Sequence, residues 1–286
     1  MKNKALQEQK QLQQLLWLCA LLIWCWRAHQ SLLLHQLYEA PFIFVGADNT
    51  FWLYHALLIP QTIINHYYLA LILDVIWLAV ALYGCYKIQH RLAALVLCCL
   101  YTNYFIIYNS IATHHEHILV AGLFCFWLLC VQQLQRFVWC FVALRYYALW
   151  VLFSAALWKI ALGSWNDPLH LDHILKQQHL SLLLLAPDHW YSQCIYWLLQ
   201  HPRYSAYLWC MGWLIELSFG IGFFTHRWDK YLAVLWLLFF VMDYWLMGLC
   251  FAEFCIFVLL FYPWRAIWKQ YQQQVCGNSK GRAVKF

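Results

Sequence analysis

The chain has 286 residues, of which 65% are hydrophobic, 20% aromatic and 10% charged, where a soluble globular domain carries about 25% charged residues. Its apolar residues fall in runs able to cross a hydrocarbon core of about 30 Å, which excludes a soluble domain. The net charge of +6 resides mainly between those runs, so it reports membrane topology and gives no reason to expect nucleic-acid binding.

These features predict an all-α, polytopic membrane helical bundle of about eight transmembrane helices, with the lipid bilayer as its surroundings. The chain divides into an N-terminal cytoplasmic segment (1–14), a transmembrane domain (15–264) and a basic cytoplasmic tail (265–286). Most of the thirteen cysteines lie inside apolar runs, where Cys behaves as a small hydrophobe. No CxxC pair points to zinc.

In chain order, the polar start MKNKALQEQKQLQQ leads into an apolar run from Leu15 to about Leu37, interrupted by Arg27 and His29. Cys25-Trp26-Arg27 stands where a signal peptide would have a small-residue cleavage site, so a retained first span is expected. Residues 38–66 form a long connection without Lys or Arg, whose FIFVG and FWLYHALLI pieces suggest interfacial or re-entrant segments. A second span, Tyr67–Tyr86, contains Asp74. The basic turn Lys87–Arg91 leads to a third, Ala93–Ile111, and the cluster His114-His115-Glu116-His117 to a fourth, Ile118–Leu134.

After Arg136 comes a long apolar run, Phe137–Leu162, with Lys159 in its last turns and a breaker, Gly163-Ser-Trp-Asn-Asp-Pro168, behind it. The segment 163–203 is polar and carries five histidines. Tyr204–Phe224 is a sixth span, containing Glu216. Tyr231–Trp264 is 34 residues long, about 50 Å as one helix at 1.5 Å per residue, and is read as two short spans turning near Met247-Gly248. The tail from Arg265 is rich in Gln and Gly and is expected to fray.

With eight spans, thirteen Lys and Arg residues fall in alternate segments on one side and only Lys176 and Arg203 on the other. The positive-inside rule then puts both termini in the cytoplasm. It places Lys159, the 163–203 segment and the THHEH cluster toward the outer face.

Intramembrane charges are costly unless paired or set in a polar cavity. Arg27, Asp74, Glu216 and Asp243 are therefore expected to be buried and coupled, with Arg27 matched in depth to Asp74 or Glu216. Asp243 and Glu253 are candidates to face Lys159. Lys159 has two readings: an anchor snorkelling to the interface beside Trp158 and Trp165, or a lysine whose proton is made labile by burial. His114, His115 and Glu116 are candidate metal ligands, set against ordinary interfacial histidines.

Phe153-Ser-Ala-Ala-Leu-Trp-Lys159-Ile160, with Trp165 six residues beyond the lysine, resembles the signature of the HTTM family. This is the horizontally transferred transmembrane domain of vitamin K-dependent gamma-carboxylases and their bacterial relatives. Ala156 stands where the family has Gly, and Trp158 where it has the first of two lysines; the second falls on Lys159. His117, with Gly122 following, is similar to the family's His at the start of a lumenal-end helix. Glu216 in WLIELSFGIGFF and the closing MGLCFAEFCIFVLLFYP are similar to its later helices, whose preceding His has no counterpart near Phe240–Asp243.

The resemblance implies a reduced quinone, vitamin K-like, deprotonated by Lys159 and then reacting with oxygen to give a strong base. His117 would hydrogen-bond the developing oxyanion, and Phe153, Trp158 and Trp165 would border the cofactor. The carboxylase's large lumenal domain, which holds its propeptide and substrate, has no counterpart after the last expected span, so quinol chemistry with a peptide or small-protein substrate is the expectation without glutamate carboxylation itself being implied. The alternative implied by the family is a non-enzymatic membrane subunit for maturation or export of a peptide toxin.

Overall fold

A helix of 28 residues, α1 (Lys2–His29), opens the chain, its polar first half continuous with its apolar second half. Ala5, Gln9, Leu12, Leu16, Ala20, Ile23 and Arg27 are buried along it, at the three- and four-residue spacing of one helical face. The computed structural model describes residues 2–41, 56–111, 119–247 and 252–282. The described residues form helices throughout, without a strand among them. They divide into two units, the first comprising Met1–Leu144, Ala252–Leu259 and Trp264–Phe286, the second Arg145–Phe251 and Leu260–Pro263.

In the first unit α1 ends at His29, short of the expected Leu37. Ser31 takes a left-handed φ of 58°, and a 3₁₀ turn, Leu34–Leu37, follows. A short α2 (Ile59–Ile64) precedes α3 (Tyr67–Tyr86) and α4 (Arg91–Ile111). Helix α1 packs on α3 at Gly84, where an added Cβ would overlap the Trp17 indole. A small residue at a crossing lets two membrane helices approach closely. Trp17 Nε1 in turn donates to Ile88 O at 3.0 Å.

Helix α5 (Leu119–Cys130) has twelve residues, about 18 Å of rise, and unwinds before α6 (Leu134–Ala161). Its last carbonyls are closed from α1. Gln13 Nε2 donates to Leu128 O and Val131 O at 3.1 and 3.2 Å, and Gln9 Nε2 to Val131 O and Gln132 O at 3.1 Å each. Two buried glutamines thus satisfy carbonyls that the helix end leaves open.

The tail expected to fray is a helix, α11 (Arg265–Arg282). Glu8 of α1 accepts from the amides of Ala266 and Ile267 at 3.0–3.1 Å, supplying a carboxylate where a helix N-terminus favours one. Ile267 and Trp264 are buried, and Trp268 and Tyr271 meet Phe141 and Trp139 edge-on. The apolar side of this helix overrides its Gln-rich composition.

In the second unit the 163–203 segment folds into α7 (His170–Leu185) and α8 (Trp190–Gln200), followed by α9 (Pro202–Ser218) and α10 (Asp229–Met247). Leu171, Leu175, Leu183, Ile195 and Trp209 form a core joining α7, α8 and α9. Helix α10 ends at Met247, where the sequence suggested a turn. Ala252–Phe261, most of it in the first unit, is 3₁₀ helix, rising about 20 Å at 2.0 Å per residue. Among the described residues, five helices are long and apolar enough to cross a membrane: Tyr67–Tyr86, Arg91–Ile111, Leu134–Ala161, Pro202–Phe223 and Asp229–Met247. The described residues are all-helical, with five candidate membrane-spanning helices among them.

Candidate functional site

Lys159 lies in the last turns of α6, which Gly163 ends with a left-handed φ of 73°. The chain then turns through Ser164–Asn166. Across from it, Trp209, Trp213 and Glu216 are spaced i, i+4 and i+7 on α9, so they share a face. Trp209 Nε1 donates to Ser164 O at 2.8 Å, and Trp213 Nε1 to Ala156 O at 3.3 Å. These two bonds lock the tryptophan face of α9 onto the end of α6.

That clamp brings Lys159 Nζ to 2.7 Å from both carboxylate oxygens of Glu216. The ammonium also sits 4.7 Å from the centre of the Trp209 ring, within cation–π range, and the His170 ring packs against the same tryptophan at 4.5 Å. Glu216 is buried, whereas the Lys159 side chain retains 21% exposure. Asp243, buried on α10, lies within electrostatic reach of both. The Lys159 ammonium and the Glu216 carboxylate, roofed by Trp209, form a small polar centre among apolar helices.

The aromatic candidates part company here. Trp165 meets Trp213 at 5.6 Å and so borders the centre. Trp158 is 66% exposed, since neighbouring positions on a helix face apart. Phe153 packs on Phe223 and Gly220, where an added Cβ would come within 2.7 Å of its ring. The ring that meets Lys159 is Trp209, with Trp213 beside it on the same face of α9, and the sequence reading singled out neither. Their signal is the eight-residue W-x₃-W-x₂-E pattern, Trp209–Glu216.

The other intramembrane charges find partners different from those expected. Arg27 pairs with Glu253, Nε and Nη2 lying 2.8 and 2.5 Å from Oε1, and its guanidinium stacks 4.5 Å from the Tyr108 ring. Asp74 instead accepts from the amides of Leu34 and His35 and meets His35 Nδ1 at 2.7 Å. It fixes the turn that follows α1. Glu216 is held by Lys159, so neither carboxylate expected for Arg27 is its partner. A fourth pair, unanticipated, joins Arg145 to Asp229 at 2.5 Å, with Arg145 also donating to Gly222 O at 3.1 Å.

His114, His115, Glu116 and His117 lie outside the described residues. Among the described residues no three His, Cys, Asp or Glu side chains converge as a metal site. At the other end of α7 and α8, His179 Nε2 meets Leu246 O at 2.8 Å and the Tyr191 hydroxyl donates to Trp245 O, closing carbonyls at the end of α10.

Compared with protein-family models, with curated proteins and with solved structures, the chain finds no match.

Proposed function

We propose that the chain is a multi-pass membrane protein of the HTTM type, in which Lys159 and Glu216 form an acid–base couple acting on a reduced quinone. The observation that carries this is the partly open ammonium of Lys159, bound by both oxygens of a buried carboxylate and bordered by tryptophan faces. A charged lysine is no base. Glu216 supplies a proton acceptor at hydrogen-bond distance, so the ammonium can pass its proton inward and present a neutral amine at its open side. Trp209 keeps water from one face of the amine, and the buried carboxyl of Asp243 is a further group near the pair that can hold a proton.

An ammonium beside exposed aromatic surface suits a quinol hydroxyl and its flat ring, and Lys159, Trp165 and Trp213 would hold it. Bound there, a quinol supplies a weakly acidic hydroxyl and, with oxygen, the strong base that the family resemblance implies. A peptide or small protein is the proposed substrate class. His117 keeps its proposed place as a hydrogen-bond donor, and Phe153 and Trp158 are proposed only to border the approach. By the positive-inside rule the centre opens to the outer face, with both termini cytoplasmic. Reporters fused after Lys87, Arg136 or Lys230 should then report cytoplasm, and those within 165–200 the outside.

The deciding experiment is hydroquinone-dependent oxygen uptake by purified protein, together with extraction of any co-purified quinone. Lys159→Arg keeps the charge but cannot yield its proton. It is expected to abolish uptake while leaving the fold intact, and undiminished uptake would sink the acid–base reading. A second reading is a non-enzymatic membrane subunit for peptide maturation or export. It is favoured by the likeness of Lys159–Glu216 to Arg27–Glu253 and Arg145–Asp229, pairs that need no chemistry to explain them. A stoichiometric peptide partner, with no quinone and no uptake, would select it.

A further inference from the structure

A cavity of about 700 Å³ lies in the first unit, between the start of α4, the end of α5 and the first turns of α6. That size falls within the range of small-ligand sites. Its lining is divided in kind. Arg91, Gln133 and Arg136 stand on it as polar residues, while Leu95, Phe124 and Trp127 line it as apolar ones. Phe124 and Trp127 are also exposed, as aromatic side chains at a membrane interface commonly are.

The basic end is electrostatically one-sided. Arg91 opens α4 and Arg136 lies in the first turn of α6, and neither first turn contains an acidic residue. A helix N-terminus carries partial positive charge and favours an anion, so a guanidinium there adds like to like. Among the described residues no carboxylate forms an ion pair with either arginine. The two turns are held together, since Gln132 Nε2 donates to Gln89 O at 2.6 Å. The carbonyls at the end of α5, which would otherwise repel an anion, are occupied by Gln9 and Gln13.

We propose that this cavity binds an anionic phospholipid of the surrounding bilayer, its phosphodiester between Arg91 and Arg136 and its glycerol and upper acyl chains along Leu95, Phe124 and Trp127. Two guanidinium forks match phosphate oxygens better than a single carboxylate. Basic pockets between membrane helices are suited to such headgroups. The apolar half of the cavity gives a lipid an advantage that a free phosphate lacks. The site lies in the first unit and does not depend on the chemistry of Lys159.

The test uses the full chain, delipidated in neutral detergent and exposed to equal amounts of phosphatidylglycerol and phosphatidylcholine with identical chains. Native mass spectrometry reads the retained adducts. Phosphatidylglycerol should be retained about tenfold over phosphatidylcholine, given two basic groups at the headgroup. Arg91→Gln combined with Arg136→Gln should reduce that preference to near unity. Ala143→Trp, an exposed position lining the cavity, should reduce adducts while keeping both arginines; if the double variant does not fold, this variant decides alone. Equal retention of the two lipids, a preference that survives these substitutions, or displacement of phosphatidylglycerol by an equal concentration of inorganic phosphate would each overturn the proposal.

Discussion

Arg27 and Glu253 are separated by 226 residues in the chain and by 2.5 Å in space. Both are almost wholly buried, and the guanidinium is further covered by the rings of Tyr104 and Tyr108. Removing one member leaves an uncompensated buried charge, which costs about 3–5 kcal/mol. Arg27→Leu should therefore lower stability in detergent by that amount, and adding Glu253→Leu should recover most of it. Neutralising Asp74 or Glu216 should give no such rescue. Thermal unfolding of the four variants checks this, and rescue through Asp74 would mean that the pairing is wrong.

The Lys159–Glu216 pair separates stability from chemistry. Lys159→Met alone leaves Glu216 buried and unpaired and should cost about 3–5 kcal/mol, whereas Lys159→Met with Glu216→Met should return to within about 1 kcal/mol of the parent. The double variant should nonetheless be inert toward a quinol. Unfolding curves and oxygen uptake measured on the same preparations distinguish the two effects, and full uptake in the double variant would exclude any acid–base role for the pair.

His226 provides a pH signature outside the membrane-spanning helices. Its Nδ1 lies 3.8 Å from Asp229, which favours the cation. Partial burial and then the nearby Arg145 outweigh this and lower the imidazole to about 4, from the usual 6.5 or so. The unfolded chain thus binds a proton more readily than the folded one between those values. Stability contributed by the neutral ring is present above about 6.5 and is lost as pH falls toward 4. His226→Gln should flatten the pH dependence across that interval relative to the parent, and identical slopes would refute the assignment.

Gly84 is predicted to be intolerant. A methyl group there would overlap the Trp17 indole, and overpacking of this kind typically costs about 1–3 kcal/mol. Gly84→Ala should destabilise within that range, and Trp17→Leu in the same chain should offset part of the loss. Unfolding midpoints of the two single variants and the double variant measure the coupling.

Hydropathy marks a charge among apolar residues, and Arg27, Asp74, Glu216 and Asp243, marked in that way, are all buried. It says nothing of the angle at which a helix turns that residue toward its neighbours. Asp74, expected to match Arg27 in depth, faces the turn at Leu34 and His35, while Glu253, expected to face Lys159 from an outer end, meets Arg27. Glu216 was legible as intramembrane, but its pairing with Lys159 depends on the shared face of Trp209, Trp213 and Glu216. Tryptophan anchors of this sort look like interfacial belt residues in a linear reading. Arg265–Arg282 misled for the opposite reason: its Gln and Gly suggested fraying, while Ile267, Trp268 and Tyr271 recur on the side that packs.

Glu8 and Ala266 are 258 residues apart, and this distance has a consequence for biosynthesis. At about 5–20 residues per second, roughly 15–50 s separate the emergence of Glu8 from that of the amides it caps. For nearly all of that interval α1 has been made, but neither its Glu8 carboxylate nor its Arg27 has met its final partner. The nascent chain must shelter those charges in provisional company, in the insertion machinery or at the lipid surface, until residues 253–267 have emerged. A pause or premature stop before Glu253 would thus leave α1 exposed to quality control, although its own sequence is intact.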